Sequence, residues 1–150
     1  MSDLSTNFTG VLLPVFYVSD VARSLEFYRD ICGFDRVQLP EESKREANGG
    51  SSSGEPPYFV RMQAGTQEFA LHLSDAPNLT MGGVRHYFAV KDVDLHHEEV
   101  RRRGGDPTQV QDLPWMRLFS VTDPDGHVLF FQTPNWEWEA RVLGRTQQDE

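Results

Sequence analysis

The sequence predicts an α+β fold built from two consecutive β-α-β-β-β modules. The first observation is an internal repeat: Asp20-Val21 and Asp92-Val93 each follow a short apolar run, with an offset of 72 residues between positions 20 and 92. The same offset superposes Gly33 on Gly105. The second and third observations are that a segment of helical length follows each Asp, and that three strand-like stretches follow each such segment. A repeat of this kind predicts two copies of one supersecondary unit.

Each module is expected to open with a strand and a helix. The apolar runs Val11 to Val18 and Val84 to Val90 precede the two Asp residues, whose carboxylates can cap a helix by accepting backbone N–H bonds. The predicted helices cover Val21 to Ile31 and Val93 to Arg103. A glycine follows each helix, and glycine suits the left-handed position that ends many helices. The pattern therefore predicts where both helices begin and end.

Three strands are expected after each helix, because turn residues separate short runs of apolar and β-branched residues. The turn signals are Ala64-Gly65 in the first module and Asp123-Pro124-Asp125-Gly126 in the second, which is a strong hairpin signal. The predicted strands are Arg36 to Leu39, Tyr58 to Met62, Glu68 to Leu73, Thr108 to Gln111, Arg117 to Val121 and Val128 to Gln132.

The chain length predicts that the two modules form one domain. The protein has 150 residues, which suits a single globular domain, whereas a module of about 60 residues is too small to bury its own helix and sheet. We assign module one to about 10–75, module two to about 83–134 and a C-terminal tail to 135–150. Glu41 to Pro57 is expected to be a loop. In the tail, Trp136 or Trp138 is expected to pack against the body or a second subunit.

Composition excludes several classes of partner. A formal net charge of -9 disfavours nucleic acid, because the protein and the phosphate backbone repel each other. The apolar run that begins at Val11 is broken by Pro14 and is far shorter than the ~20 residues of a membrane span, so no membrane partner is expected. Cys32 is the single cysteine, and the first residues lack the pattern of a signal peptide. Both features favour a cytoplasmic location.

Two strings of residues resemble a known family. Tyr17 to Asp30, followed by Cys32-Gly33-Phe34, is similar to the opening of the glyoxalase / bleomycin-resistance / extradiol-dioxygenase superfamily, also called vicinal oxygen chelate proteins. Phe119 to His127 resembles the closing hairpin of the same superfamily. The resemblance covers about residues 10–134. It implies that the curved mixed sheets of the two modules wrap around a cavity, and that the protein forms a homodimer.

The resemblance also poses the question of a metal. Enzymes of this superfamily hold one divalent metal at four strand positions, which in this chain are Leu13, His72, Arg85 and Phe130. Leucine and phenylalanine offer no lone pair, and a guanidinium is a permanent cation. A shift of one residue would replace Arg85 with His86, but it would turn the side chain to the other face of the sheet. We therefore predict no metal site and no cofactor, and we assign no catalytic residue.

A metal-free member resembles the drug-sequestering, bleomycin-resistance branch, in which a protein binds a compound without altering it. Such sites need apolar and aromatic walls with a few polar groups. Strand alternation supplies candidates on the face of the lost metal positions, and two residues that lead into a strand of module two add a stacking platform and a donor. The predicted ligand-binding residues are Leu13, Val15, Tyr17, His72, Arg85, Tyr87, Trp115, Arg117, Phe130 and Gln132.

The leading hypothesis is a homodimer that sequesters an amphipathic or cationic small-molecule ligand. The first alternative is a metal-dependent glyoxalase-like lyase, isomerase or dioxygenase with an atypical ligand set around His72. The second alternative is a dimeric interaction module whose cavity is filled by side chains. The sequence does not name the ligand.

Overall fold

The computed structural model describes residues 4–38, 58–77, 83–145 and 147. The strands are β1 (Val15–Val18), β2 (Asp35–Arg36), β3 (Phe59–Ala64), β4 (Gln67–Leu73), β5 (His86–Ala89), β6 (Gln111–Asp112), β7 (Met116–Thr122) and β8 (Val128–Pro134). The helices are α1, which is α-helical over Val21–Leu25 and π-helical over Glu26–Ile31, α2 (Val93–Arg102), and α3, which is α-helical over Trp136–Trp138 and π-helical over Glu139–Leu143. A 3₁₀ turn covers Leu4–Asn7. No helix in these ranges is long and apolar enough to cross a membrane.

The strands form two four-stranded mixed sheets with the same topology. The first sheet has the order β1-β4-β3-β2, and the second has the order β5-β8-β7-β6. In both, the first and last strands of the module are parallel and the other pairs are antiparallel. The predicted α+β class and its two β-α-β-β-β modules are therefore confirmed.

Several strand boundaries differ from the predicted ones. β1 begins at Val15 rather than Val11, β2 covers Asp35–Arg36, and β6 covers Gln111–Asp112. Short edge strands are where the apolar pattern is weakest, since one side of such a strand has no neighbour to pair with. The predicted loop from Glu41 to Pro57 lies outside the described residues.

The two helices begin as predicted. The Asp20 carboxylate accepts a hydrogen bond from the backbone N–H of Arg23, and the Asp92 carboxylate accepts one from that of Leu95, each at 3.0 Å. Both caps have extended backbones, with φ of -150° and -136°. The repeat in the sequence therefore corresponds to the same N-terminal cap in both modules.

The glycine that ends the second helix is Gly104, whereas the offset of 72 superposes Gly33 on Gly105. Gly33 has a left-handed φ of +89°, and its structural counterpart Gly104 has one of +94°. The π-helical turn of α1, in which the Cys32 N–H donates to the Phe27 carbonyl at 3.0 Å, adds one residue to the first module. Equivalent residues of the two modules are therefore 72 positions apart at the helix caps, Asp20 and Asp92, and 71 positions apart after the helices, at Gly33 and Gly104.

Gly105 has a different role, at a contact between the modules. A Cβ placed there would lie 2.7 Å from Cγ1 of Val100 and 2.8 Å from Cγ2 of Ile31. Both distances are far below van der Waals contact, so a side chain at this position would push α1 and α2 apart.

The modules share one hydrophobic core. The Phe34 ring, which follows α1, lies 4.9 Å from the ring of Phe69 in the first sheet and 4.8 Å from that of Phe88 in the second. Phe131 of β8 lies 5.7 Å from the same ring. Phe34, Phe69 and Phe131 belong to one buried cluster, and the partly buried Phe88 packs against it. The prediction that the modules bury one another's apolar faces is consistent with this packing.

The turn between β7 and β8 is locked onto module one by a buried carboxylate. The Tyr28 hydroxyl donates to Oδ2 of Asp123 at 2.8 Å, and the backbone N–H groups of Asp125 and His127 donate to Oδ1 at 2.9 and 2.8 Å. Asp123 is only 4% exposed. Burial, and next the negative charge of Asp123, raise the pKa of Tyr28, so that its hydroxyl keeps its proton.

Further hydrogen bonds extend this junction along the surface. Ser19 donates its backbone N–H and its hydroxyl to the two carboxylate oxygens of Asp125, at 3.1 and 2.6 Å. Nε2 of His127 lies 2.7 Å from the Tyr17 carbonyl; because a carbonyl can only accept, this nitrogen carries the proton. We call Ser19, Tyr28, Asp123, Asp125 and His127 the module junction.

We predict that Tyr28→Phe lowers the free energy of unfolding by about 1–3 kcal/mol, because the buried Asp123 carboxylate loses one donor. Urea denaturation followed by far-UV circular dichroism measures the change. Tyr58→Phe is the control, since Tyr58 is 42% exposed, and its unfolding free energy should move by less than about 0.5 kcal/mol. Equal stability of the two variants would show that the junction does not hold the modules together.

Candidate functional site

Each sheet packs one face on the helices, and several side chains on its other face are half-exposed among the described residues. In β1, Phe16 and Val18 are buried in the core, whereas Val15 and Tyr17 on the opposite face are each 41% exposed. In β5, Tyr87 is 43% exposed. Strand alternation extends this division across both sheets. We call the face of each sheet that is turned away from the helices its outer face.

The outer face of the first sheet carries an aromatic cluster around His72. The strand register places Tyr17 and Phe59 directly beside His72, on either side. The His72 ring lies 5.7 Å from Tyr17, 5.9 Å from Phe59 and 6.1 Å from Tyr58, with all three pairs edge to face. Such contacts hold the imidazole within an apolar surface.

One nitrogen of His72 is already engaged. Nδ1 lies 2.8 Å from the Leu73 carbonyl, and because a carbonyl only accepts, Nδ1 carries the proton of the neutral ring. Nε2 is then left as an acceptor among the aromatic rings. This group can receive a hydrogen bond from a ligand N–H or O–H.

The outer face of the second sheet carries a stacked pair of rings. Tyr87 and Phe130 are register partners, and their rings stack at 4.8 Å with an angle of 22° between the planes. The Arg85 guanidinium carbon lies 5.4 Å above the centre of the Phe130 ring, within cation–π range. Gln132 follows two residues after Phe130 on the same face. Its Oε1 atom is buried and has no hydrogen-bond partner in the described part of the chain.

The structure places most of the predicted ligand residues on the outer faces. Leu13 is half-buried and precedes β1. Trp115 packs on the tail instead: its ring lies 6.3 Å from that of Trp138, which agrees with the expectation that the tail packs against the body. The residues on, or directly adjoining, the outer faces are Val15, Tyr17, His72, Arg85, Tyr87, Phe130 and Gln132.

Arg117 is a correction to the predicted site. Leu118 is the register partner of Gln132, so alternation places Arg117 on the helix-facing side of β7. There it forms ion pairs with Asp94 of α2 and with Asp112 of β6. Both carboxylates raise the pKa of the guanidinium through hydrogen bonds. Arg117 therefore connects α2 to the sheet and does not belong to the outer face.

Tyr58 and Phe59 are site residues that the sequence reasoning missed. The hairpin loop between Ala64 and Gln67 has two residues, so Ala64 pairs with Gln67, and counting back along both strands pairs Phe59 with His72. The Gly65 turn was visible in the sequence, and this count would have found Phe59. The position of Tyr58 depends on its side-chain orientation, for which the sequence has no signal.

The donor set does not fit a divalent metal. Of the four positions that the resemblance implies for a metal, His72 alone offers a lone pair suited to a metal. On the same outer face, the carboxylate of Glu68 is held by Arg61 at 3.0 Å. Within the described ranges, no group of three or more His, Cys, Asp and Glu side chains is arranged to hold a metal ion.

Comparison with known proteins places the fold in a family. The sequence model of the Glyoxalase/Bleomycin resistance protein/Dioxygenase superfamily matches residues 10–131. The chain belongs to this superfamily. The resemblance seen in the sequence is thereby confirmed. No curated protein matches this superfamily member.

Solved structures similar to this superfamily member include binding proteins and enzymes. The bleomycin-binding protein from Streptomyces verticillus, complexed with copper(II)-bleomycin, has a TM-score of 0.59 and 21% identity, with 82% of this chain and 94% of that chain covered. The antibiotic binding protein TnmS3 from Streptomyces sp. CB03234 has a TM-score of 0.60 and 21% identity, with coverage of 85% and 99%. A glyoxalase-related enzyme from Clostridium phytofermentans has a TM-score of 0.61 and 15% identity, with coverage of 85% and 96%. At these identities the likeness concerns the fold.

We predict that the Cys32 thiol does not react in the native protein. Cys32 is 1% exposed, and burial, followed by the charge of Asp123, raises its pKa, so the nucleophilic thiolate does not form near neutral pH. Ellman's reagent at pH 8 should titrate one thiol in urea and almost none without it. Rapid labelling of the folded protein would contradict this and reopen a nucleophilic role for the residue.

Proposed function

We propose that this superfamily member is a small-molecule binding protein that sequesters an amphipathic ligand without altering it. The observation that carries the proposal is the pair of aromatic clusters on the outer faces, around His72 in the first sheet and at Tyr87 and Phe130 in the second. Ligand sites combine aromatic walls with a few fixed polar groups. Here the polar groups are Nε2 of His72, Arg85 and the amide of Gln132.

Proteins of similar fold support the proposal. Two of them are described as binding bleomycin or an antibiotic, and neither description names a reaction. The metal positions of the family enzymes are occupied in this chain by residues that cannot coordinate an ion, apart from His72. A protein with this set of side chains can hold a ligand by stacking and hydrogen bonds, and we assign it no catalytic residue.

We also propose that the binding protein is a homodimer. Large apolar side chains of the N-terminal segment are strongly exposed, with Phe8 at 83%, Val11 at 80% and Leu12 at 75%. Clusters of exposed apolar residues mark interaction surfaces. A second copy of the chain is the partner that the proposal names, and its segment would cover apolar surface next to β1, where the outer face of the first sheet begins.

The dimer is tested by changing the N-terminal segment. We predict that the wild-type protein sediments at about twice its monomer mass of 17.1 kDa. The double variant Val11→Glu, Leu12→Glu should sediment closer to the monomer mass, because burying two carboxylates at the interface is costly, and it should still unfold in a cooperative thermal transition. Leu95→Glu is the control, because Leu95 is an exposed apolar residue of α2, 65% exposed, and does not belong to the N-terminal segment. A wild-type monomer at micromolar concentration, or a double variant that still dimerises, would contradict the proposal.

Ligand binding is tested on the stacked pair of rings. Thermal-shift screening of aromatic compounds, bleomycin among them, identifies a binder. We predict that Tyr87→Ala weakens that binder by roughly tenfold, because a half-exposed aromatic wall is lost. Leu95→Ala serves as the control and should leave the dissociation constant unchanged. Mass spectrometry should recover the compound unmodified.

The competing hypothesis, a metal-dependent enzyme, predicts the opposite outcomes for the compound and for bound metal. A compound that is converted during incubation would contradict sequestration. So would a stoichiometric divalent ion in protein purified without added metal, if His72→Ala removed that ion. Elemental analysis of both proteins makes the distinction.

A further inference from the structure

Arg85 is a cation at the rim of the second sheet's outer face, with an unusual set of neighbours. Its guanidinium carbon lies over the Phe130 ring, and its Nη1 atom lies 3.5 Å from the Tyr87 hydroxyl. A guanidinium has five N–H donors. In the part of the chain that the structure describes, its contacts use at most one of these donors, which leaves the others for a ligand.

Arg85, which directly precedes β5, differs from Arg61 and Arg117, two arginines within strands that form ion pairs. Arg61 is paired with Glu68, and Arg117 with both Asp94 and Asp112. Within the ranges that the structure describes, Arg85 is not within ion-pair distance of any Asp or Glu. A planar guanidinium held against an aromatic ring is well suited to a planar oxyanion such as a carboxylate, which it can bind through two parallel hydrogen bonds.

A second, independent feature of the same face points to a ligand. Oε1 of Gln132 is buried and lacks a hydrogen-bond partner within the described ranges. Leaving a buried polar atom unsatisfied is costly, and a bound molecule with an N–H or O–H group would satisfy it. β5 and β8 are parallel, and Arg85 comes before the Tyr87–Phe130 pair whereas Gln132 comes after it. The stacked rings therefore lie between the two polar residues along the strands.

We propose that the outer face of the second sheet binds an organic anion with a flat apolar body, and that Arg85 recognises its carboxylate. The flat body lies along Tyr87 and Phe130, and the anionic end meets the guanidinium. This inference rests on the proposed binding function and adds to it the charge of the ligand. It favours an amphipathic anion over the cationic ligand suggested by the net charge.

The test compares three probes that share one ring system and differ in charge. Their dissociation constants are measured by isothermal titration calorimetry at pH 7.5: naphthalene-2-carboxylate, naphthalene-2-carboxamide and naphthalen-2-ylmethylammonium. We expect the carboxylate to bind at least tenfold more tightly than the other two. Arg85→Gln should remove that preference by weakening the carboxylate tenfold or more, while the amide changes less than twofold. Arg85→Lys should retain part of the preference, because it keeps the charge and loses the planar fork.

Arg101→Gln is the matched control. It removes the same charge from the surface of α2, where Arg101 is paired with Glu98, and it should leave all three constants unchanged. If the probes bind with equal affinity, or if the ammonium binds best, the anion inference is wrong and the binding function stands. If none of the three binds the wild-type protein, the anion inference is wrong, and the thermal-shift screen decides the binding function separately. An equal loss in Arg85→Gln and Arg101→Gln would mean that net charge, rather than Arg85, attracts the anion.

Discussion

The buried carboxylate of Asp123 is the constraint on which the arrangement of the two modules depends. A charge removed from water is tolerated only when donors surround it, and here one donor, the Tyr28 hydroxyl, comes from the other module. The two backbone N–H groups that complete the set can reach the carboxylate only if the β7–β8 turn keeps its shape. The turn and α1 are thus fixed together, both modules pack their helix-facing sides into one core, and the outer faces are left as the surfaces on which a ligand can bind.

Much of this fold could be predicted from the sequence because its two halves repeat the same local signals. The Asp caps and the glycines after the helices depend on backbone geometry within a few residues, which a sequence displays directly. The change of the repeat offset from 72 to 71 could not be predicted, because the π-helical turn that causes it has no marked sequence pattern. The ion pairs of Arg117, which was expected to be a ligand donor, could not be predicted, since its partner Asp94 lies on α2 and only tertiary packing brings the two together.

The site was predictable to the extent that alternation along strands fixes it. The first outer face carries Tyr17 and His72, and the second carries Tyr87 and Phe130. Each of these residues is at a metal position implied by the family resemblance, or lies an even number of residues from one along its strand. The net charge of -9 describes the whole chain and not the side chains beside the stacked rings. Charged pairs such as Glu98 with Arg101 lie on the surface of α2, whereas Arg85 stands on the outer face without an acidic partner in the described ranges. Arg85 therefore places a positive charge beside Phe130, although the chain as a whole is acidic.

The central claim is that ligands bind on the outer faces of the sheets. Chemical-shift mapping tests it most directly: a ¹⁵N-labelled protein is titrated with naphthalene-2-carboxylate, and the shifted backbone amides are located in the fold. The account predicts that the largest shifts occur in β5 and β8, around Tyr87 and Phe130, and that α2 is little affected. Shifts confined to α1 and α2, with β5 and β8 unchanged, would contradict it.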